Sequence, residues 1–416
     1  MPSTPPISPR SVEDAGLDPE RLARIDDFLE QRYLQPDRFK GCVTLVHRRG
    51  TTVHFSAQGL MDAERGRAMR TDTLFRIYSM TKPLTCLAFM MLVEEGKVAL
   101  DDPVSRYIPA WKDLGVLAGG ALGDFRTTPC ERPMLVVDLM RHTSGLTYGF
   151  QQSNAVDAAY RQLGIGGVEL TGSLPRLVDT LAALPLVFSP GEAWNYSVAT
   201  DVLGYLVGEI SGRPFEAVLR ERLTGPLGMD DTGFFVPPEK SDRLAACYRL
   251  EAQGTVLADD PMASPFLRPP TLVSGGGGLV SSAEDYLRFC RMLLGGGALD
   301  GRRYVSPKTL RLMGANHIPG GRDIRAASRS MFSEAAYAGI GYGLGLATTI
   351  DQPATLIPGT AGDLFWGGMA STAFWIDPAE DLAVIFLTQL IPSSAYPVRR
   401  ELRTLVYAAF TDAIEG

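Results

Sequence analysis

The sequence predicts a mixed α/β (α+β) fold: an antiparallel sheet assembled from the two ends of the chain, flanked by helices, with a mainly helical insertion between. Three observations carry this. Residues near 41–59 and 370–387 alternate with the period of strands, amphipathic helices lie outside both stretches, and the long middle is punctuated by Gly and Pro between helical patterns.

In chain order, residues 1–16 form a Pro/Ser-rich arm, and Asp18-Pro19 has the form of an N-cap followed by a first helical residue. Leu22, Ile25, Phe28 and Leu29 then share one face as far as Tyr33. From Gly41 the period changes to two: Val43, Leu45 and His47 alternate with Thr44 and Val46, and Arg49-Gly50 turns the chain into a second strand, predicting a hairpin to Gly59. Helices are expected near 85–95, 134–141, 200–211, 215–223 and 283–294. Ser281 or Ser282 with Glu284 or Asp285 reads as a capping box for the last of these. Strands at Ala370–Ile376 and Leu382–Leu387, around the turn Asp377-Pro378-Ala379-Glu380, and a helix from about Arg399 to Ile414 complete the pattern. The implied division is a discontinuous α/β domain (1–85 and 275–416) and a mainly helical domain (86–274), with the active site in the cleft between them.

At 416 residues the chain is long enough for more than one core. Its net charge of -7 argues against nucleic acid, whose binding depends on Lys and Arg displacing counterions. The five cysteines are scattered and form no C-x-x-C pair, so buried free thiols in a reducing compartment are expected. No run of eighteen apolar residues and no secretory leader pattern occurs, and the expected location is cytoplasmic, with no membrane partner. His47, His54 and His317 lack acidic companions at metal-binding spacing, so neither metal nor cofactor is expected. Gly275–Gly278 lacks the lysine and spacing of a phosphate loop and reads as a turn or site-lining loop.

The chemistry concentrates in FRIYSMTKPLTC, Phe75–Cys86. Leu84, Leu87, Ala88, Met91 and Leu92 fall at helical spacing, and Phe89 with Met90 makes the other face apolar too, predicting a buried helix. Ser79 and Lys82 are then neighbours on its first turns, where Pro83 forfeits little because the first backbone N–H groups have no intrahelical partner. Desolvation and the positive end of the helix dipole both disfavour an ammonium there, which suits Lys82 to accept a proton from Ser79. The Ser79 backbone N–H can serve as an oxyanion donor. A Ser-x-x-Lys tetrapeptide also arises by chance, and a serine at a helix start is often only a cap.

Further pieces give the order its meaning: LMRHTSGLTYGF (Leu139–Phe150), NYSVATDVLGYLVGEISGRPF (Asn195–Phe215), PLGMDDTGF (Pro226–Phe234), GGLVSSAEDYLRF (Gly277–Phe289), GYGLGL (Gly341–Leu346) and FWGGMASTAFWI (Phe365–Ile376). In this order, from about Leu17 to Leu405, the chain resembles the serine β-lactamase and penicillin-binding-protein superfamily, and within it the β-lactamase-like esterases called family VIII carboxylesterases. The resemblance implies the β-lactamase/transpeptidase-like fold, with Ser79 as acylated nucleophile, Lys82 as its proton partner and Tyr196 as base. It also implies an oxyanion hole made by the backbone N–H groups of Ser79 and Met369. Two departures bear on substrate. The Tyr-x-Asn pattern ends here in Val198, and the Lys-Thr-Gly pattern is Trp366-Gly367-Gly368, so an amide and a cation that grip a carboxylated lactam are replaced by apolar and aromatic groups. Small to medium uncharged esters are the expected substrates. The alternatives are a β-lactamase or D-amino-acid peptidase, an acyltransferase, and a non-catalytic scaffold on the same fold; the oligomeric state is left open. His142 reads as part of a structural turn rather than a triad member, and Tyr148 and Phe150 read equally as pocket walls or packing.

Overall fold

The computed structural model describes residues 7–167, 171–330 and 335–413. Its fold class is the expected one. Helix α1 (Pro19–Leu29) starts where Asp18 accepts the backbone N–H groups of Glu20 and Arg21. The main sheet then takes β1 (Gly41–Arg48), β2 (Thr51–Asp62) and β3 (Arg67–Ala68) from the first part of the chain. The last part supplies β4 (Ile340–Tyr342), β5 (Ala347–Thr349), β6 (Leu364–Gly367), β7 (Ala373–Asp377) and β8 (Leu382–Leu387). The strand order is β4-β5-β6-β7-β8-β1-β2-β3, antiparallel throughout, with β1 beside β8 so that the two ends of the chain meet at its centre.

The apolar run Leu382–Leu387 is explained by helices on both faces of this strand. Ile385 and Leu387 enter the larger core, while Val384 and Phe386 enter a second core under α1 and the C-terminal helix. Three further helices matter for the site: α2 (Thr81–Glu94), α3 (Ala199–Ser211) and α4 (Ala283–Leu294); the C-terminal helix is α5 (Val398–Ala408). At α4 only half of the expected box forms. Ser282 accepts the Asp285 N–H, but the Asp285 carboxylate turns away to the Asp231 N–H and the Thr232 hydroxyl.

Other expectations are corrected in detail. Part of the N-terminal arm is a short helix, Pro9–Asp14, capped by Ser8. Helix α5 stops at Ala408, and residue 414, where it was expected to end, lies outside the described residues. The middle of the chain carries β structure that its patterning did not announce. A hairpin, Gly115–Gly119 with Arg126–Pro129, is one piece; Cys247–Glu251 and Gly254–Asp259, with Leu390–Ile391 added in parallel, are another. Helices Ala155–Gln162 and Leu174–Ala182 also went unread. Among the described residues no helix is long and apolar enough to cross a membrane, and no group of three His, Cys, Asp or Glu side chains is arranged to hold a metal ion.

Candidate active site

The segment that delivers Ser79 is anchored before it is turned. Strand Phe75–Arg76 pairs with Val280–Ser281, and the Ile77 N–H continues the pairing to Leu279 O. Arg76 is completely buried; its Nε donates to Asp259 at 2.6 Å, Nη1 to Ala245 O at 2.6 Å and Nη2 to Ser264 Oγ at 3.0 Å. Tyr78 follows at φ 43°, a left-handed conformation that a bulky side chain adopts only when its surroundings hold it there. One 3-10 turn, Tyr78–Met80, then leads into α2. The result is selective exposure: between Thr73 and Leu92, Ser79 is the one residue that is not buried. Pro83 is the third residue of α2, where its missing N–H leaves no helical hydrogen bond unmade.

Lys82, fully buried, reaches three partners from the same helical face. Its Nζ lies 3.2 Å from Ser79 Oγ, 3.1 Å from the Tyr148 hydroxyl and 2.7 Å from Gly276 O. A carbonyl only accepts, so Gly276 takes one N–H of the lysine. The two hydroxyls can donate or accept, so the remaining positions on Nζ can exchange a proton with Ser79 without breaking the set. Gly276 is held in turn by Asp201 of α3, whose Oδ1 accepts the Gly276 N–H at 3.0 Å and the Ser274 hydroxyl. A Cβ on Gly276 would stand 2.7 Å from the Asp201 carboxylate, which explains the glycine in this loop. The loop therefore lines the site.

An aromatic cluster surrounds the lysine. Nζ lies 4.5 Å from the centre of the Tyr196 ring, a cation–π distance, and Trp366 Nε1 donates to the Tyr196 hydroxyl at 3.3 Å. Trp366 thus stands beside Tyr196 from β6. Burial first, with Tyr196 and then the negative charge of Asp201 adding to it, pushes the Tyr148 phenol well above its ordinary range, which favours its O–H form. His142, at φ 58°, is buried with its Nδ1 3.2 Å from Ser197 Oγ, and its ring packs edge-on against Tyr196 at 4.9 Å. Burial and, secondarily, the nearby Lys82 hold it well below its usual range, hence neutral. It supports the cluster and makes no hydrogen bond to Ser79.

Val198 is completely buried and shares the space beside Gly166 with the Tyr148 ring. Its part is to back Tyr148, not to present a wall to solvent. Beyond β6, Gly368 and Thr372 close a tight turn through Gly368 N–H to Thr372 O at 2.9 Å, with Ser371 at φ 68°. A Cβ on Gly368 would stand 2.5 Å from Ile77 O, so this turn lies directly against the backbone that leads to Ser79. Met369 packs in the same small core as Tyr78, and its N–H donates to no described residue. The arrangement puts a proton acceptor, Lys82, on a half-buried hydroxyl, with the turn that carries the Met369 N–H against the backbone leading to it. The sequence reading missed Tyr148 as a lysine partner, although it stands in the LTYGF segment, and Gly276, although its loop was singled out.

The family model for Beta-lactamase matches residues 27–408. Protein Rv1367c of Mycobacterium tuberculosis is 40% identical over 356 residues, 85% of this chain and 86% of that protein. Esterase EstB of Burkholderia gladioli is 34% identical over 427 residues, covering 95% of this chain and 99% of its own. Among solved structures, EstCE1, "a hydrolase with promiscuous acyltransferase activity", matches with a TM-score of 0.79 and 29% identity, over 94% of this chain and 99% of its own.

Proposed function

This chain belongs to the beta-lactamase family, and from that premise we propose that it is a serine carboxylesterase working through an acyl-Ser79 intermediate. The observation that carries this is the exposure of Ser79 alone within a buried stretch, with Lys82 Nζ 3.2 Å from its hydroxyl. The likeness to Esterase EstB over nearly the whole of both chains supports the ester as the bond attacked. The discontinuous division into an α/β part (1–85 and 275–416) and a mainly helical part (86–274), with the site in the cleft between them, belongs to the same reading.

In this mechanism the Lys82–Tyr196 pair takes the Ser79 proton as Oγ attacks the ester carbonyl. The N–H groups of Ser79 and Met369 receive the oxyanion of the tetrahedral intermediate. Collapse breaks the bond to the alcohol, which leaves with the proton the pair had taken. Water then attacks the acyl group, its proton passes to the same pair, and a second collapse returns a proton to Ser79 and releases the carboxylic acid. Trp366 gives an aromatic lining where a lysine would favour a carboxylated lactam, so uncharged esters are preferred.

With p-nitrophenyl butyrate and a chromogenic cephalosporin as competing substrates, kcat/KM for the ester is expected to exceed that for the lactam by at least about 100-fold, the loss that follows from two missing polar contacts. Rapid quenching is expected to trap an added butyryl mass on the peptide containing Ser79. Faster turnover of the cephalosporin would overturn the substrate reading, and a mass on another residue would overturn the nucleophile. Added alcohol tests acyl transfer, which shares the first half-reaction and is favoured as a second reading by the likeness to EstCE1.

Tyr148 and Tyr196 separate in the same assay. Tyr148→Phe removes one hydrogen bond from Lys82 and is expected to lower kcat about 10-fold or less. A loss near 1000-fold would make Tyr148, not Tyr196, the proton acceptor.

A further inference from the structure

Arg399, in the first turn of α5, stands behind the third-motif strand. Its Nη2 donates to Gly368 O at 2.7 Å and to Thr372 O at 2.8 Å, gripping both sides of the turn that carries Met369. Stability does not account for this placement. No carboxylate among the described residues pairs with Arg399, its buried Nε has no hydrogen-bond partner there, and a cation at a helix N-terminus faces the unfavourable end of the dipole. Space has been made for it: a Cβ on Gly367 would lie 2.4 Å from the guanidinium carbon. The glycine that replaces threonine in the third motif is what lets the arginine in.

Gly368 O and the Met369 N–H belong to one peptide unit. In a trans peptide the two point in opposite directions, so a guanidinium fixed on the oxygen orients the N–H toward the other side and strengthens it as a donor. The same Thr372 O also takes the Gly368 N–H, so the turn is closed from within and from behind. Resting on the oxyanion hole proposed above, we propose that Arg399 is a positioning residue for that hole: it locks and polarises the Gly368–Met369 peptide from the C-terminal helix. A guanidinium keeps its proton at any working pH, so the contribution is permanent.

The test compares the parent with Arg399→Met, Arg399→Lys and Gly367→Ala, the last pushing the guanidinium off its carbonyls while leaving it in the chain. Each is titrated with a fluorophosphonate to count competent Ser79, then assayed with p-nitrophenyl butyrate and with a boronic acid that mimics the tetrahedral state. Arg399→Met and Gly367→Ala are expected to lower kcat per titrated site about 10- to 100-fold, somewhat less than loss of a direct oxyanion donor, with KM changed less than about 3-fold. Boronate affinity should fall in proportion to kcat, and Arg399→Lys should recover most of both. An unchanged kcat per site in either folded variant overturns the proposal. So does a rise in KM alone, or a loss confined to the half-ester of a dicarboxylic acid, which would make Arg399 a substrate carboxylate receptor. Acylation of Ser79 in the parent is measured first: its absence would defeat the underlying site reading, whereas its presence with unaffected variants defeats only this inference.

Discussion

Ser79→Ala is expected to lower kcat/KM for p-nitrophenyl butyrate by at least about 10,000-fold, the scale on which removing the nucleophile of a serine hydrolase acts. The stability of the protein should change by no more than about 1 kcal/mol. Both halves follow from position. Ser79 is half-buried where its neighbours are fully buried, so no hydroxyl on the adjoining turn of α2 can reach the same ester, and Thr81, two residues on, is buried with its oxygen accepting the Leu279 N–H. The hydroxyl contributes only one hydrogen bond to the fold, to Lys82, and solvent at this partly open position replaces it. The measurement is kinetics beside a denaturant titration. A variant that keeps a tenth of the parent activity, or one that loses activity only because it unfolds, would sink the assignment of Ser79.

Much of this site was legible because short-range pattern determines it. Helical spacing puts Ser79 and Lys82 on one face, the apolar remainder of α2 buries the lysine, and the strand alternation around Trp366 turns its indole inward while Gly367 faces α5. What escaped depends on tertiary approach. Tyr148 reads like any core aromatic until the turn at His142 brings its hydroxyl to Lys82. Arg399 lies in VRREL, which reads as the polar start of an amphipathic helix; only the packing of α5 against β6 shows that the second residue points inward. The unread helix Ala155–Gln162 is a different case, since its signal was present: Asn154 and Asp157 form a reciprocal capping box, ahead of a helix only 8 residues long. The strands Cys247–Glu251 and Gly254–Asp259 are short and partly exposed, and Leu390–Ile391 joins them from far along the chain, which no local pattern encodes.

Lys82→Met should cost about 1,000-fold in kcat, within the range of general acid–base catalysis, and Tyr196→Phe a similar factor. The informative measurement is the double variant. Nζ lies over the Tyr196 ring at 4.5 Å while bonded to Ser79 Oγ, and in the proposed mechanism the two residues act on one proton rather than on two steps. Once either is gone, removing the other should cost little more, and the double variant should stay within about 10-fold of the worse single one instead of showing the product of the two losses. Methionine keeps the stem packed among the buried residues of α2 but leaves Gly276 O without its donor, a buried unsatisfied acceptor costing about 1–3 kcal/mol. Kinetics must therefore be compared at temperatures where all variants remain folded. Losses that multiply would assign Lys82 and Tyr196 to separate steps: the lysine to activating Ser79, and the tyrosine, tied to Trp366 Nε1, to protonating the leaving alcohol.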